Sequence, residues 1–284
     1  MFHKTLLFLM LLLTAFFCFT QQDAIYFAAG TEGLDPFIAI FKNGRFVPIV
    51  VDTLNSQSKY KIFEKQLAEA LRKFPVKKSV TSLGESGRLH ELVVLEYNPK
   101  ADVYTPILKL QNPPNELTLA TNTPVKLIFL PSKEETLSLK ELNMLKEKAQ
   151  EIWRKERIQL EKWERPKAQL TLLNPKIFGI EELPDIVTVV FPVLFSRYES
   201  VDDRGSFFFL FDRKTDKILR AHFGHPEWSA ASPDSVINIE PHMFFRIADF
   251  ATPYLLADFE WGWESNGLAI INMTTGDIEA LTTY

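Results

Sequence analysis

Along most of this chain the apolar positions fall in short runs separated by turn-forming residues, the pattern of strands joined by tight connections. The clearest instance is Phe37-Ile38-Ala39-Ile40-Phe41, then Lys42-Asn43-Gly44-Arg45, then Phe46-Val47-Pro48-Ile49-Val50-Val51. An Asn-Gly pair between apolar runs predicts a hairpin, because both central residues of a type I′ turn need positive φ. Pro48 has no amide hydrogen, which places the second strand at a sheet edge or at a bulge.

Two stretches change period. Phe63, Leu67, Ala70, Leu71 and Phe74 form one stripe of a short helix that Pro75 ends. Strands are expected at Ser79–Ser82, Leu89–Tyr97 after the turn Gly84-Glu85-Ser86-Gly87, Pro106–Gln111, Leu117–Thr121 and Val125–Leu130. Ser138-Leu139-Lys140-Glu141 then has the form of a capping box and opens a run without Gly or Pro that reaches Arg165. Leu142, Leu145, Ala149, Ile152 and Trp153 line one face of this long helix, which is expected to project past one sheet or bridge two.

After Pro166 the pattern is again β, with strands at Gln169–Leu173, Ile186–Phe195, Phe207–Phe211, Ile218–Phe223, Val236–Ile239, Met243–Ile247, Tyr254–Phe259, Leu268–Ile271 and Ile278–Leu281. Without helices between them, these strands argue for antiparallel sheets with alternate side chains in the interior. Phe209 to Leu219 also echoes Ala269 to Glu279: each reads strand, Asp or Asn, two residues, Thr, Asp or Gly, polar residue, strand. The expected fold is α+β, predominantly antiparallel β with one short and one long helix. Its two β-rich halves are residues 21–136, with the short helix, and 167–284, separated by a connecting helix at 137–166.

The N-terminus departs from all of this. Lys4 precedes an unbroken apolar run from Thr5 to Phe19, followed by Thr20-Gln21-Gln22-Asp23, which has the three parts of a secretory signal. The run is shorter than the roughly 20 apolar residues a spanning helix needs. Residues 1–20 are therefore expected to be removed by a cut before Gln21; only an uncleaved segment would tie the chain to a membrane. Cys18 is the single cysteine and lies within that segment, so the exported part would form no disulfide. A chain of this length can bury enough surface without one. Export to a periplasmic or extracellular location, in a bacterial envelope, is the expectation.

A formal net charge of −4 and the lack of any Lys/Arg-rich stretch interleaved with aromatics exclude a nucleic-acid binder, which needs a basic stripe to displace counterions. Two constellations could carry chemistry. Of five histidines, His222, His225 and His242 fall within 21 residues. With a nearby carboxylate they could hold Zn²⁺ in an open geometry and make a metal-dependent hydrolase, although the spacing matches no recognised zinc motif. In Asp258-Phe259-Glu260-Trp261-Gly262-Trp263-Glu264, acids alternate with aromatics, which suits a carbohydrate-binding or glycosidase-like site. It equally suits an edge strand with its acids in water.

No G-x-S-x-G elbow, G-x-G-x-x-G or Walker loop occurs. Asn272-Met273-Thr274 is a glycosylation sequon that also reads as a turn. The expectation is a non-catalytic binding or structural component without a cofactor, zinc being the alternative, and with carbohydrate or another envelope protein as the partner. Its ligand-binding surface would use Trp228, Glu260, Trp261, Trp263 and Glu264.

Overall fold

The computed structural model describes residues 24–29, 37–48, 72, 76–97, 108–111, 113–123, 126–161, 169–196, 202–224, 238–261 and 265–283. The expected signal and the short helix at Phe63–Phe74 lie outside the described residues, apart from position 72. What is described is mostly antiparallel β with one long helix.

Three sheets hold the strands. In spatial order the first has β3 (Arg45–Pro48), β2 (Phe37–Lys42), β1 (Ala24–Ala29), β7 (Thr118–Thr121), β4 (Ser79–Gly84), β5 (Leu89–Tyr97) and β6 (Leu108–Gln111). The second has β18 (Ile278–Thr283), β17 (Ser265–Asn272), β16 (Pro253–Trp261), β15 (Asn238–Ile247) and β8 (Leu127–Leu130). The third has β14 (Lys217–Gly224), β13 (Asp202–Asp212), β12 (Ile186–Ser196), β11 (Lys176–Ile180) and β9 (Ser132–Glu134), with β10 (Gln169–Leu172) also on β12. Strands β9 and β11 have no counterpart in the sequence pattern.

The sheets are stacked, and helix α1 (Leu139–Glu161) closes the stack. Tyr26, Phe41, Phe46 and Leu119 of the first sheet meet Phe245, Tyr254, Leu256 and Ile270 of the second. The opposite face of the second sheet presents Phe244, Leu255, Ala257 and Ile271 to Val190, Phe208 and Leu210 of the third. The far face of the third, with Val189, Phe191, Phe207, Phe209 and Phe211, packs under Leu145, Ala149 and Trp153 of α1.

The second and third sheets are thus covered on both sides. Phe207 to Phe211 are all buried, and so are Tyr254 to Ala257. This corrects the expectation that only alternate side chains form the interior: alternation still decides which layer a residue enters, but both layers are apolar.

Local chemistry fixes several elements. Asn43 and Gly44 have φ of 54° and 78°, as the hairpin requires, and β3 is an edge strand as Pro48 demands. The capping box forms: Glu141 N–H donates to Ser138 Oγ (3.3 Å) and Ser138 N–H to Glu141 Oε2 (2.6 Å). Pro192 stands inside β12 where its neighbour changes, since β11 pairs up to Val190 and β10 begins opposite Val193. The missing N–H costs no ladder bond at that break.

The sequence echo is a structural one. Asp212 Oδ1 accepts from Lys214 N–H (2.9 Å), and Asn272 Oδ1 accepts from Thr274 N–H (2.9 Å). The ladder shifts register at the same place in each hairpin, between Leu210 and Phe211 and between Ile270 and Ile271. Asn272 Nδ2 donates to Glu279 Oε1 (2.7 Å), so the sequon asparagine is tied into its turn.

Candidate functional site

Strand β15 bulges between Pro241 and Met243: Pro241 pairs with Ala257 and Met243 with Leu256, which leaves His242 unpaired on the ladder. A bulge turns two consecutive side chains to the same face. Met243 enters the core against the first sheet, and His242 emerges beside it at that interface.

There the imidazole lies between two carboxylates. Nδ1 is 3.1 Å from Glu85 Oε2, on the β4–β5 turn of the first sheet, and Nε2 is 2.7 Å from Asp258 Oδ2 on β16. The second contact is an ion pair whose N–H is not aligned for a hydrogen bond. Burial alone would lower the His242 pKa, but the contact and charge of Asp258 and those of Glu85 reverse that and hold it above its ordinary value.

The turn that presents Glu85 is itself braced. Ser86 N–H donates to Glu116 Oε2 (2.7 Å), Ser86 Oγ donates to Glu116 Oε1 (2.9 Å), and His90 Nε2 lies 2.5 Å from the same Oε1. Burial would raise the Glu116 pKa, yet the Ser86 hydroxyl and amide and the His90 ring hold it below its usual range. A Cβ on Gly84 would come within 2.5 Å of Glu116 Oε1, so only glycine lets this pair close over the turn.

His222, on edge strand β14, is placed quite differently. Its Nε2–H donates to the carbonyl of Gly276 (3.0 Å) in the β17–β18 turn, and its ring leans on Phe208 at a centroid distance of 5.9 Å. Burial first, and the nearby Arg220 charge, lower its pKa despite the Gly276 bond.

His222 and His242 therefore serve separate contacts, and His225 lies outside the described residues. Among the described residues no group of three or more His, Cys, Asp or Glu is placed to hold a metal ion. Both nitrogens of His242 face carboxylates, leaving no lone pair directed at a nucleophile or a cation.

Trp228, Trp263 and Glu264 are likewise outside the described residues, while Glu260 and Trp261 are described by their backbone in β16. One run of contacts links the strand ends that carry these segments. Gly224 pairs with Ser206, Ile239 N–H donates to Ser206 Oγ (3.3 Å), and Asn238 pairs with Glu260.

Beside that run, the β10–β11 break opens a cleft of about 640 Å³ between the second and third sheets. Leu173, Val190, Pro192 and Val193 form its apolar wall, facing Ile239 and Pro241. At its mouth Lys176 Nζ is 3.1 Å from Glu240 Oε1.

Sequence reasoning missed Glu85, His90 and Glu116 as partners. The signal available was the turn Gly84-Glu85-Ser86-Gly87, whose residues read only as punctuation. No known protein family, curated protein or solved structure matches this chain.

Proposed function

We infer that this protein is exported by residues 1–20 and works as a non-catalytic binding component of the cell envelope, with carbohydrate as the ligand class. The observation that carries the reading is the cleft at the β10–β11 break. It has the volume of a small-molecule site, apolar walls and the Lys176–Glu240 ion pair at its mouth. It is lined by Ile239 to Pro241 of β15, which pairs with β16, the strand that leads into the acid and aromatic run ending at Glu264. Trp261 and Trp263 would supply stacking surfaces there, with Glu260 and Glu264 as acceptors for sugar hydroxyls. The engagement of His222 and His242 elsewhere speaks for binding and against imidazole catalysis at this end.

The wider organisation belongs to the same reading. The first sheet is built entirely from strands before α1, and the other two mostly from strands after it, which supports two β-rich halves, the first lending β8 and β9 to the sheets of the second.

Intact-mass analysis of the protein recovered from fractionated cells tests export: a mature chain beginning at Gln21 outside the cytoplasm supports it, and a full-length cytoplasmic chain contradicts it. Tryptophan fluorescence against neutral oligosaccharides tests the ligand class. Saturable quenching that Trp261→Ala abolishes is expected, whereas no response, or release of shortened sugar, would overturn non-catalytic carbohydrate binding.

A further inference from the structure

A second cleft, of about 530 Å³, lies on the first sheet, away from the cleft discussed above. Its origin is a gap in the ladder. Strand β4 pairs with β7 only from Ser82 to Gly84, because the chain leaves the sheet after Thr121. Along Ser79–Thr81 that edge of β4 pairs with no strand among the described residues, and the cleft lies beside it, bounded by Lys126 and Leu127 at the start of β8.

Val80, Leu83, Leu89 and Leu127 give the cleft an apolar floor. The polar part of the lining comes from Lys78 and Lys126, the hydroxyl residues Ser79, Thr81, Ser82, Thr121 and Thr123, and Asn122, with no carboxylate and no aromatic ring among the described lining residues. Both lysines are exposed, and neither makes an ion pair among the described residues. Ser82 and Thr121 are 1% and 6% exposed, and the Ser82 hydroxyl is spent on the carbonyl of His90, so the free hydroxyls are those of the exposed Ser79 and Thr81. Thr121 Oγ1 is positioned by Thr123 N–H, which donates to it at 3.4 Å.

Two unneutralised cations, several short hydroxyl donors and an unpaired strand edge suit a compact dianion. Lysine acts on phosphate as a point charge, and hydroxyl and amide donors satisfy its remaining oxygens. A monoester phosphate carries close to two negative charges at neutral pH, with three acceptor oxygens. The cleft is larger than a bare phosphate needs and falls in the range of small-molecule sites. Among the described lining residues, no aromatic platform favours a stacked base and no carboxylate favours a cation.

We propose that this cleft is a binding site for a phosphorylated small molecule with a hydroxylated body, its phosphate held between Lys78 and Lys126. The site is independent of the carbohydrate reading, since it uses other residues and another ligand.

Isothermal titration of the mature protein with glycerol 3-phosphate, inorganic phosphate and glycerol tests it. Glycerol 3-phosphate should bind saturably, more weakly as salt is raised, and glycerol should not bind. Lys78→Gln and Lys126→Gln should each weaken binding about tenfold, the loss of one charge-assisted bond. Both variants should melt with the wild type, because neither side chain has a structural partner among the described residues. In the wild type, amide shifts on titration should centre on Thr81, Thr121 and Lys126.

No glycerol 3-phosphate binding up to ~10 mM, weaker than any affinity of use to a binding site, would overturn the proposal. So would binding unchanged in the double variant, shifts confined to another surface, or inorganic phosphate binding as tightly as the ester.

Discussion

At His242 the imidazolium is the form both neighbours favour, because Glu85 and Asp258 approach its two nitrogens from different sheets. Its folded pKa is raised, so its contribution to stability is complete below the unfolded value of about 6.5 and is lost as pH rises through the folded value. His222 has the opposite sign: its folded pKa is lowered, and stability falls as pH drops below about 6.5 because the ring must charge against burial. Denaturant titrations across pH should therefore show the gap between wild type and His242→Gln closing as pH rises, and the gap for His222→Gln closing as pH falls. The expected scale is about 1 kcal/mol for each. Parallel pH dependences would contradict these assignments.

Gly276 stands where only glycine is free of backbone strain. Gly276 has φ of +73°, and a Cβ there would sit 2.3 Å from that of Arg220. Gly276→Ala should cost about 1–3 kcal/mol in thermal unfolding, and an unchanged melting temperature would contradict the packing of this turn on β14. Asn43-Gly44 and the Asp212 and Asn272 turns were readable in the sequence because their chemistry is local. The His242 site was not. Its bulge depends on which strand pairs with β15, and Glu85 comes from a turn 157 positions earlier.

Among the elements, β13 states the layered burial most plainly. Phe207, Phe209 and Phe211 pack toward α1, while Phe208 and Leu210 pack toward the second sheet. An alanine scan of these five positions should show a loss at every one, about 3–5 kcal/mol for the phenylalanines and 2–5 for Leu210. A scan in which every second substitution is tolerated would mean that one face of the third sheet is open to water. The consecutive phenylalanines announced a strand, but alternation alone could not reveal that both sides are covered. Strands β9 and β11 escaped the sequence pattern for another reason: they are short, and all of β9 is exposed. Their pairing joins Ser132–Glu134 to Phe178–Ile180 across the whole of α1. The helix itself was legible through its capping box and its Leu145, Ala149 and Trp153 stripe, although the face it covers was not.

At the scale of the molecule, three sheets and a helix make an interior in which every histidine site described here braces an element against its neighbour. His242 joins the first sheet to the second, His222 joins the third to the β17–β18 turn, and His90 steadies the turn that carries Glu85. Both clefts lie where ladders are interrupted, at the β10–β11 break and beside β4, and the two binding proposals rest on them. The most direct test is ¹⁵N NMR of the histidine side chains in the protein, across pH and with added zinc. The expected result is a His242 ring that keeps both protons to higher pH than a free imidazole, a His222 ring that stays neutral to lower pH with its proton on Nε2, and no joint response of the two to stoichiometric zinc. A His242 ring that turns neutral at lower pH than a free imidazole, or zinc shifting both rings together, would contradict the account and restore the metal centre.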